Sequence, residues 1–289
     1  MSRMGLKEGE VIQHSMISRS IERAQKKVEE NNFGIRKRLL EYDDVMNSQR
    51  EVIYRRRKHA LFGERLSVDI ANMMRDVCEA LVGNYQDSSD FEGFKFELIR
   101  TLSIDSPVNE EEFLKLDSNE VVDKIYDIAK DSYKRKEEAI AAQAYPVIKD
   151  VYEKHSHQYE NIVVPITDGA RTIQVVTNLK KAYETEGREL VKAYQKSVIL
   201  SSIDESWKEH LREMDDLKQS VQTATYEQKD PLLIYKFEAF ELFKGMLEKV
   251  SKDVAATLIK GHIPIEDADE IQEAQRRRQL DMSKYEAKR

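Results

Sequence analysis

Several things are scarce in this chain, and each scarcity narrows what it can be. Glycine occurs 10 times and proline 5 times in 289 residues, about 5% together against a usual share of roughly 12%. So few breakers favour an α-rich chain built on extended helices. Cys78 is the only cysteine, which excludes an intrachain disulfide and points to a reducing compartment. No apolar run approaches the roughly 18 residues of a membrane-spanning helix, and the first residues lack the apolar core of a signal peptide. A soluble, intracellular chain is the expectation. None of the ten glycines is followed by lysine, so no phosphate-binding loop is legible and ATP hydrolysis by this chain alone is not expected.

Charge is abundant by contrast, at 35% of residues, and unevenly placed. Residues 1–62 carry 14 basic and 9 acidic side chains, whereas residues 63–187 carry 15 and 25. A basic first element and an acidic middle suggest separate surfaces with different partners. The net charge of −7 lacks the overall basicity of a dedicated nucleic-acid binder.

From Ser15 to about Phe62 there is no proline and only Gly34 among glycines. Ile17, Ile21, Ala24, Val28, Ile35, Leu39, Tyr42, Met46 and Ile53 recur at helical spacing, predicting one long amphipathic helix. Such a helix would span about 70 Å. It reads as a rod against which other parts dock, or as one strand of a coiled coil. Leu66, Ile70, Met73, Met74, Val77 and Leu81 predict a short helix with Cys78 packed inside, and Asp90 can cap a helix running to about Ile99. A helix from Asn119 to Gln143 is expected to break or kink at Ala144-Tyr145-Pro146. Two β-branched runs between Asn161 and Val176 meet at Asp168-Gly169, predicting a hairpin with a type I′ turn, and Pro165 marks its strand as an edge.

The helical pattern returns from Arg188 through Leu190, Val191, Tyr194, Val198, Ile199, Ile203, Trp207, Leu211, Met214, Leu217 and Val221. A tip loop covers about 223–229. Asp230 as N-cap and Pro231 at the first helical position start a further helix, whose Leu233, Phe237, Phe240, Phe243, Met246, Leu247 and Val250 are expected to face their partner. Gly261 is a plausible stop, and the charged tail beyond Glu266 reads as a frayed helix or disorder. The fold expected is mainly α: a long scaffold helix packed on an antiparallel two-helix finger, with an inserted helical lobe that contains a small β-hairpin.

Most candidate chemical sites fail on spacing. His155 and His157 have no second ligand pair and read as solvated surface histidines. Asp43 and Asp44 are adjacent, so they point to different helix faces and suit salt bridges rather than paired acid/base work. Arg55-Arg56-Arg57-Lys58 reads as a solvated basic face, Trp207 as core and His210 as a structural histidine. A carboxylate-rich metal site would need a Glu-x-x-His pair, and Glu209-His210 has the wrong spacing. Tyr226 differs, because it stands in a loop among Thr225, Glu227 and Gln228, where an exposed aromatic suits transient contact with varied polypeptide.

Two blocks carry a resemblance. Asn32-Phe-Gly-Ile-Arg-Lys-Arg-Leu-Leu-Glu-Tyr-Asp-Asp-Val45, with Asn47, Gln49 and Arg50, and the block Trp207–Tyr235, with Gln228-Lys229-Asp230-Pro231, are similar to the C-terminal half of the SecA family, the ATP-driven motors of bacterial protein export. The similarity covers roughly residues 4–260. It implies a helical scaffold domain over 1–65, a helical wing domain over 66–187 with the hairpin near 161–177, and the scaffold continued as a two-helix finger over 188–262 with its tip at 223–229. A charged tail follows over 263–289. It further implies that Ile35, Arg36, Leu39, Tyr42, Asp43, Asp44, Asn47 and Arg50 dock on the family's nucleotide-binding domains. Tyr226, Thr225 and Gln228 would meet preprotein at the mouth of the SecYEG channel. ATP and Mg would be bound by the rest of the parent protein and no cofactor by this chain. The parent would sit in the bacterial cytoplasm, peripherally on the inner membrane. At the tip, Ala224 and Thr225 stand where the family often has Arg-Gly, and residues 144–186 look like an insertion in the wing. The reading from a different class is a stand-alone coiled-coil scaffold or adaptor.

Overall fold

The stop-free stretches do become helices. A computed structural model describes residues 15–63, 65–155, 157–221, 230–264 and 272–273. Its elements run α1 (Ser15–Phe62), α2 (Leu66–Gln86), α3 (Phe91–Leu102), α4 (Glu110–Lys115), α5 (Ser118–His155), β1 (Asn161–Thr167), β2 (Thr172–Asn178), α6 (Leu179–Glu184), α7 (Arg188–Ser220), α8 (Pro231–Lys260) and β3 (Gln272–Glu273). The fold is mainly α with a small antiparallel sheet, as the sequence indicates. Among the described residues, no helix is long and apolar enough to cross a membrane. The tip residues Thr225, Tyr226 and Gln228 and most of the tail lie outside the described residues.

Residue contacts divide the chain into two units, and α1, α7 and α8 contribute to both. The larger unit comprises 53–214 and the residues from 241 onward. Its core joins Met74, Cys78 and Val82 of α2, Phe94 and Leu98 of α3, Phe113 of α4, Ile125 and Ile148 of α5, Leu190, Tyr194 and Val198 of α7, and Val254 and Leu258 of α8. Cys78 is fully buried, and burial pushes its thiol up to about 12, so it is a packing group rather than a nucleophile. Asp90 caps α3 by accepting from Gly93 N at 2.9 Å. Tyr194 Oη donates to Thr257 O at 2.8 Å, and Lys249 Nζ lies 2.7 Å from Glu209 Oε2. Those pairs run in opposite sequence directions, as an antiparallel α7–α8 hairpin requires.

Three local expectations are corrected here. Helix α5 does not break at Pro146 but continues to His155. The proline removes one main-chain donor, a cost on the order of 3 kcal/mol. Buried Ile140, Ala141 and Ala144 on one side and Ile148 on the other hold both halves to the same core. The hairpin turn is not a two-residue type I′ turn. Its strands pair from Thr167↔Thr172 to Asn161↔Asn178, which leaves a four-residue loop, Asp168–Arg171. Gly169 alone takes a positive φ there, at 90°. The Asp168 carboxylate supplies the closure, accepting from Ala170 N at 2.9 Å and Arg171 N at 2.7 Å.

Strand β1 is also not an edge, because the sheet order is β2-β1-β3. On the side away from β2, Ile162 and Val163 pair with Glu273 and Gln272, and Thr167 exchanges two 2.9 Å hydrogen bonds with His262. Main-chain groups alternate in direction along a strand, so the missing N–H of Pro165 falls on that same side. It sits between the two partners and costs neither of them a bond. At the end of α8, Gly261 has no positive φ. A Cβ there would lie 2.2 Å from Tyr194 Oη, so the position needs glycine for room rather than for conformation.

The smaller unit comprises residues up to Val52 and 215–240. Helix α8 begins as expected, with Asp230 Oδ1 accepting from Leu232 N at 3.0 Å. Its buried phase differs from the expectation. Tyr235 and Ala239 turn inward, while Leu233, Phe237 and Phe240 are 64%, 68% and 62% exposed. The apolar residues of this turn outnumber the positions that the α1 side can cover.

Candidate surface for coupling to a partner

In the smaller unit, α1 meets α8 through a polar hydrogen bond and an aromatic contact. Gln49, buried on α1, donates from Nε2 to Ala239 O at 2.9 Å. The methyl side chain of Ala239 leaves room for that approach. One helical stretch earlier, the Tyr42 and Tyr235 rings lie 4.7 Å apart and tilted by 59°. Lys218 of α7 sits 6.0 Å from the Tyr42 ring centroid, with its Nζ 3.8 Å from Asp43 Oδ1. Burial raises the Tyr235 hydroxyl to about 12, with Asp43 and Asp215 adding to the effect. It therefore stays protonated at neutral pH.

The residues expected to dock fall into two groups. Ile35, Arg36 and Leu39 are exposed, with Ile35 at 52% and Leu39 at 50%. Asp43, Asp44, Asn47 and Arg50 are exposed as well, and Arg50 donates to Asn47 Oδ1 at 2.9 Å. Tyr42 is half-buried against Tyr235. Among the described residues, the apolar stripe of α1 is covered only from Tyr42 onward. Its first half leaves Ile21, Val28, Ile35 and Leu39 exposed, Ile35 and Leu39 being among the residues expected to dock elsewhere. Sequence reasoning also missed Tyr235 as the partner of Tyr42. A tyrosine four residues before a small alanine on α8 is the signal that could have found it.

The larger unit holds a groove of about 620 Å³ lined by Arg56, Asp76, Glu79, Lys244, Lys249 and Lys252 among others. Both signs line it, and its lysines are engaged: Lys244 with Glu248, Lys249 with Glu209 and Lys252 with Glu97. It is not laid out for a single anion. Arg57 is taken by Asp204, with contacts of 2.8 and 3.0 Å. His210 is buried between the Trp207 and Phe243 rings, at centroid distances of 5.5 and 5.6 Å, and burial lowers its pKa. That is packing rather than general-base chemistry. Trp207 itself is half-buried, and His155 and His157 are exposed. Among the described residues, no group of three or more His, Cys, Asp and Glu is arranged to hold a metal ion.

Comparison with known proteins places the chain in a family. The family model described as the SecA wing and scaffold domain matches residues 11–262. The chain is 61% identical over 95% of its length to the protein translocase subunit SecA of Christiangramia forsetii. It is 58% identical over 96% to that of Flavobacterium psychrophilum, and 52% identical over 99% to that of Porphyromonas gingivalis W83. It covers 24%, 25% and 27% of those three proteins, about a quarter of each. With a matched region that takes in α1 through the end of α8, the chain belongs to the SecA wing and scaffold domain family.

Proposed function

We propose that this chain is the coupling part of a protein-translocating ATPase. It passes movement from nucleotide-binding domains in the rest of the parent protein to a preprotein at the SecYEG channel. The scaffold is 1–65 with 188–262, and the wing is 66–187. Helix α1 receives the motor domains through Ile35, Arg36, Leu39, Tyr42, Asp43, Asp44, Asn47 and Arg50. Tyr226, with Thr225 and Gln228, meets the preprotein. This chain supplies no catalytic group; ATP and Mg belong to the rest of the parent, which works in the cytoplasm and peripherally at the inner membrane. The single observation that carries this reading is the uncovered stripe of α1, because Ile35 and Leu39 have an apolar face and nothing on it among the described residues. A packed helix pair transmits displacement rather than absorbing it, which suits the α7–α8 hairpin to the output end.

The test is the ATPase rate of a motor fragment from a close SecA relative, measured with this chain added in trans. A saturable change in rate, lost in an Ile35→Asp, Leu39→Asp double variant, is expected. No change and no binding would overturn the docking assignment. In the full-length parent, Tyr226→Ala should leave folding intact and slow preprotein transport; unchanged transport would remove the tip from the reading.

A further inference from the structure

A second groove in the larger unit, of about 380 Å³, runs between the last turns of α1 and the middle of α7. Its floor is apolar, with Ile53 buried and Trp207 half-buried. Tyr54 and Leu61 line it as well, yet stand 58% and 53% exposed. From Ile53 to Leu61 the lining covers about 12 Å of α1. That length takes one or two large side chains of a partner rather than a whole helix.

The basic run Arg55–Lys58 divides among different neighbours here. Arg56 lines the other groove, beside Asp76. Arg57 is held across this one by Asp204, whose two oxygens accept at 2.8 and 3.0 Å. Lys58 also lines this groove, is exposed, and holds no ion pair among the described residues. On the α7 wall, Lys208 follows Trp207 and is exposed too. Its charge reaches Asp204, but Arg57 already occupies that carboxylate and Lys208 forms no ion pair of its own among the described residues. Each wall therefore carries one cation still to be matched.

We propose that this groove is a docking site for an acidic amphipathic segment of a partner polypeptide. The segment seats a large apolar side chain between Tyr54, Leu61 and Trp207 and sets its carboxylates against Lys58 and Lys208. An aromatic floor with a charged rim is the composition that buried interface anchors use. A cation on each wall selects an acidic segment over a basic one. The floor lies in a slot between two helices, with the Asp204 carboxylate inside it, which suits an inserted side chain better than a flat anionic membrane. None of these residues is among those assigned above to the motor domains or the preprotein.

Trp207 is the only tryptophan in the chain, so its fluorescence reports on the groove directly. The experiment titrates this chain with the peptide acetyl-Glu-Asp-Leu-Glu-Glu-Phe-Leu-Glu-Asp-amide at low ionic strength. A saturable change in Trp207 emission is expected, with affinity that falls as salt is added. The same peptide with lysine at every acidic position should bind at least about tenfold more weakly. In a Lys58→Glu, Lys208→Glu double variant the preference should reverse, with the lysine peptide binding and the acidic one lost. No saturable change at millimolar acidic peptide, or equal binding of the two peptides to the unaltered chain, would overturn the proposal. Phosphatidylglycerol vesicles that shift Trp207 emission where the acidic peptide does not would also overturn it, by giving the groove to a membrane surface.

Discussion

Lys252 Nζ on α8 stands 2.5 Å from Glu97 Oε1 on α3, and the Glu97 side chain is only 8% exposed. Burial alone would raise the Glu97 carboxyl. The hydrogen bond and charge of Lys252, with Arg100 and Thr101, outweigh it and hold the carboxyl below its ordinary range. A depressed folded-state pKa contributes stability that is present above the unfolded value and lost as pH falls through the folded one. Glu97→Gln should therefore cost about 1.5 kcal/mol at neutral pH. The difference from the parent should narrow on going from neutral pH to an acid pH below the ordinary carboxylate range. Urea unfolding at both pH values checks this, and a gap that does not change with pH would remove the ion pair as its cause.

Glu137 has the opposite sign. Gln195 Nε2 donates to Glu137 Oε1 and, at 2.7 Å, to Tyr133 Oη. Burial raises the Glu137 carboxyl despite the hydrogen bonds from Tyr133 and Gln195. A raised folded-state pKa gives stability that is present below the unfolded value and lost as pH rises through the folded one. Glu137→Gln keeps an acceptor and removes the charge, so it should raise the melting temperature at about pH 8 and change it little near about pH 4. A lower melting temperature at the higher pH would contradict this account.

Gly187, at the turn into α7, has φ +83°, and a Cβ there would lie 2.7 Å from Ala141 O on α5. Gly187→Ala should cost at least about 1–2 kcal/mol from conformation alone. Gly245 lies inside α8 with nothing within 4 Å of a built Cβ. Gly245→Ala should therefore stabilise by about 0.5–1 kcal/mol. Chemical denaturation of the two variants should shift in opposite directions.

Gln49→Leu fills similar volume but deletes the donor to Ala239 O. A loss of about 1 kcal/mol is expected, together with faster amide exchange in the first turns of α8. Unchanged exchange there would show that the Tyr42–Tyr235 contact alone secures that helix.

Element boundaries were the most legible part of this sequence. With so few breakers, α1 could end only where the breakers return at Gly63, and Asp230-Pro231 marks the start of α8 to the residue. The Asp90 cap and the buried Cys78 followed from residue type and helical spacing. What the local pattern could not supply was partnership. The phase of α8 depends on Gln49 and Tyr42, nearly 200 positions away, and aromatic residues in excess of the available cover disguised it. Pro146 is tolerated because apolar neighbours on both sides hold the helix. β1 acquired a second partner from a segment about a hundred residues downstream. Of the candidate surface, Ile35 and Leu39 were legible as apolar periodicity and, through the resemblance, as residues left for a partner, whereas the exposure of Ile21 and Val28 was not.

That uncovered first half of α1 has a calorimetric consequence. Ile21, Val28, Ile35 and Leu39 are hydrated apolar side chains, and any partner that closes over them removes that hydration. Association through this face should carry a negative heat-capacity change that grows with the number of these side chains covered. The entropic part of its driving force should fade on cooling. A complex made here would be held more loosely in the cold.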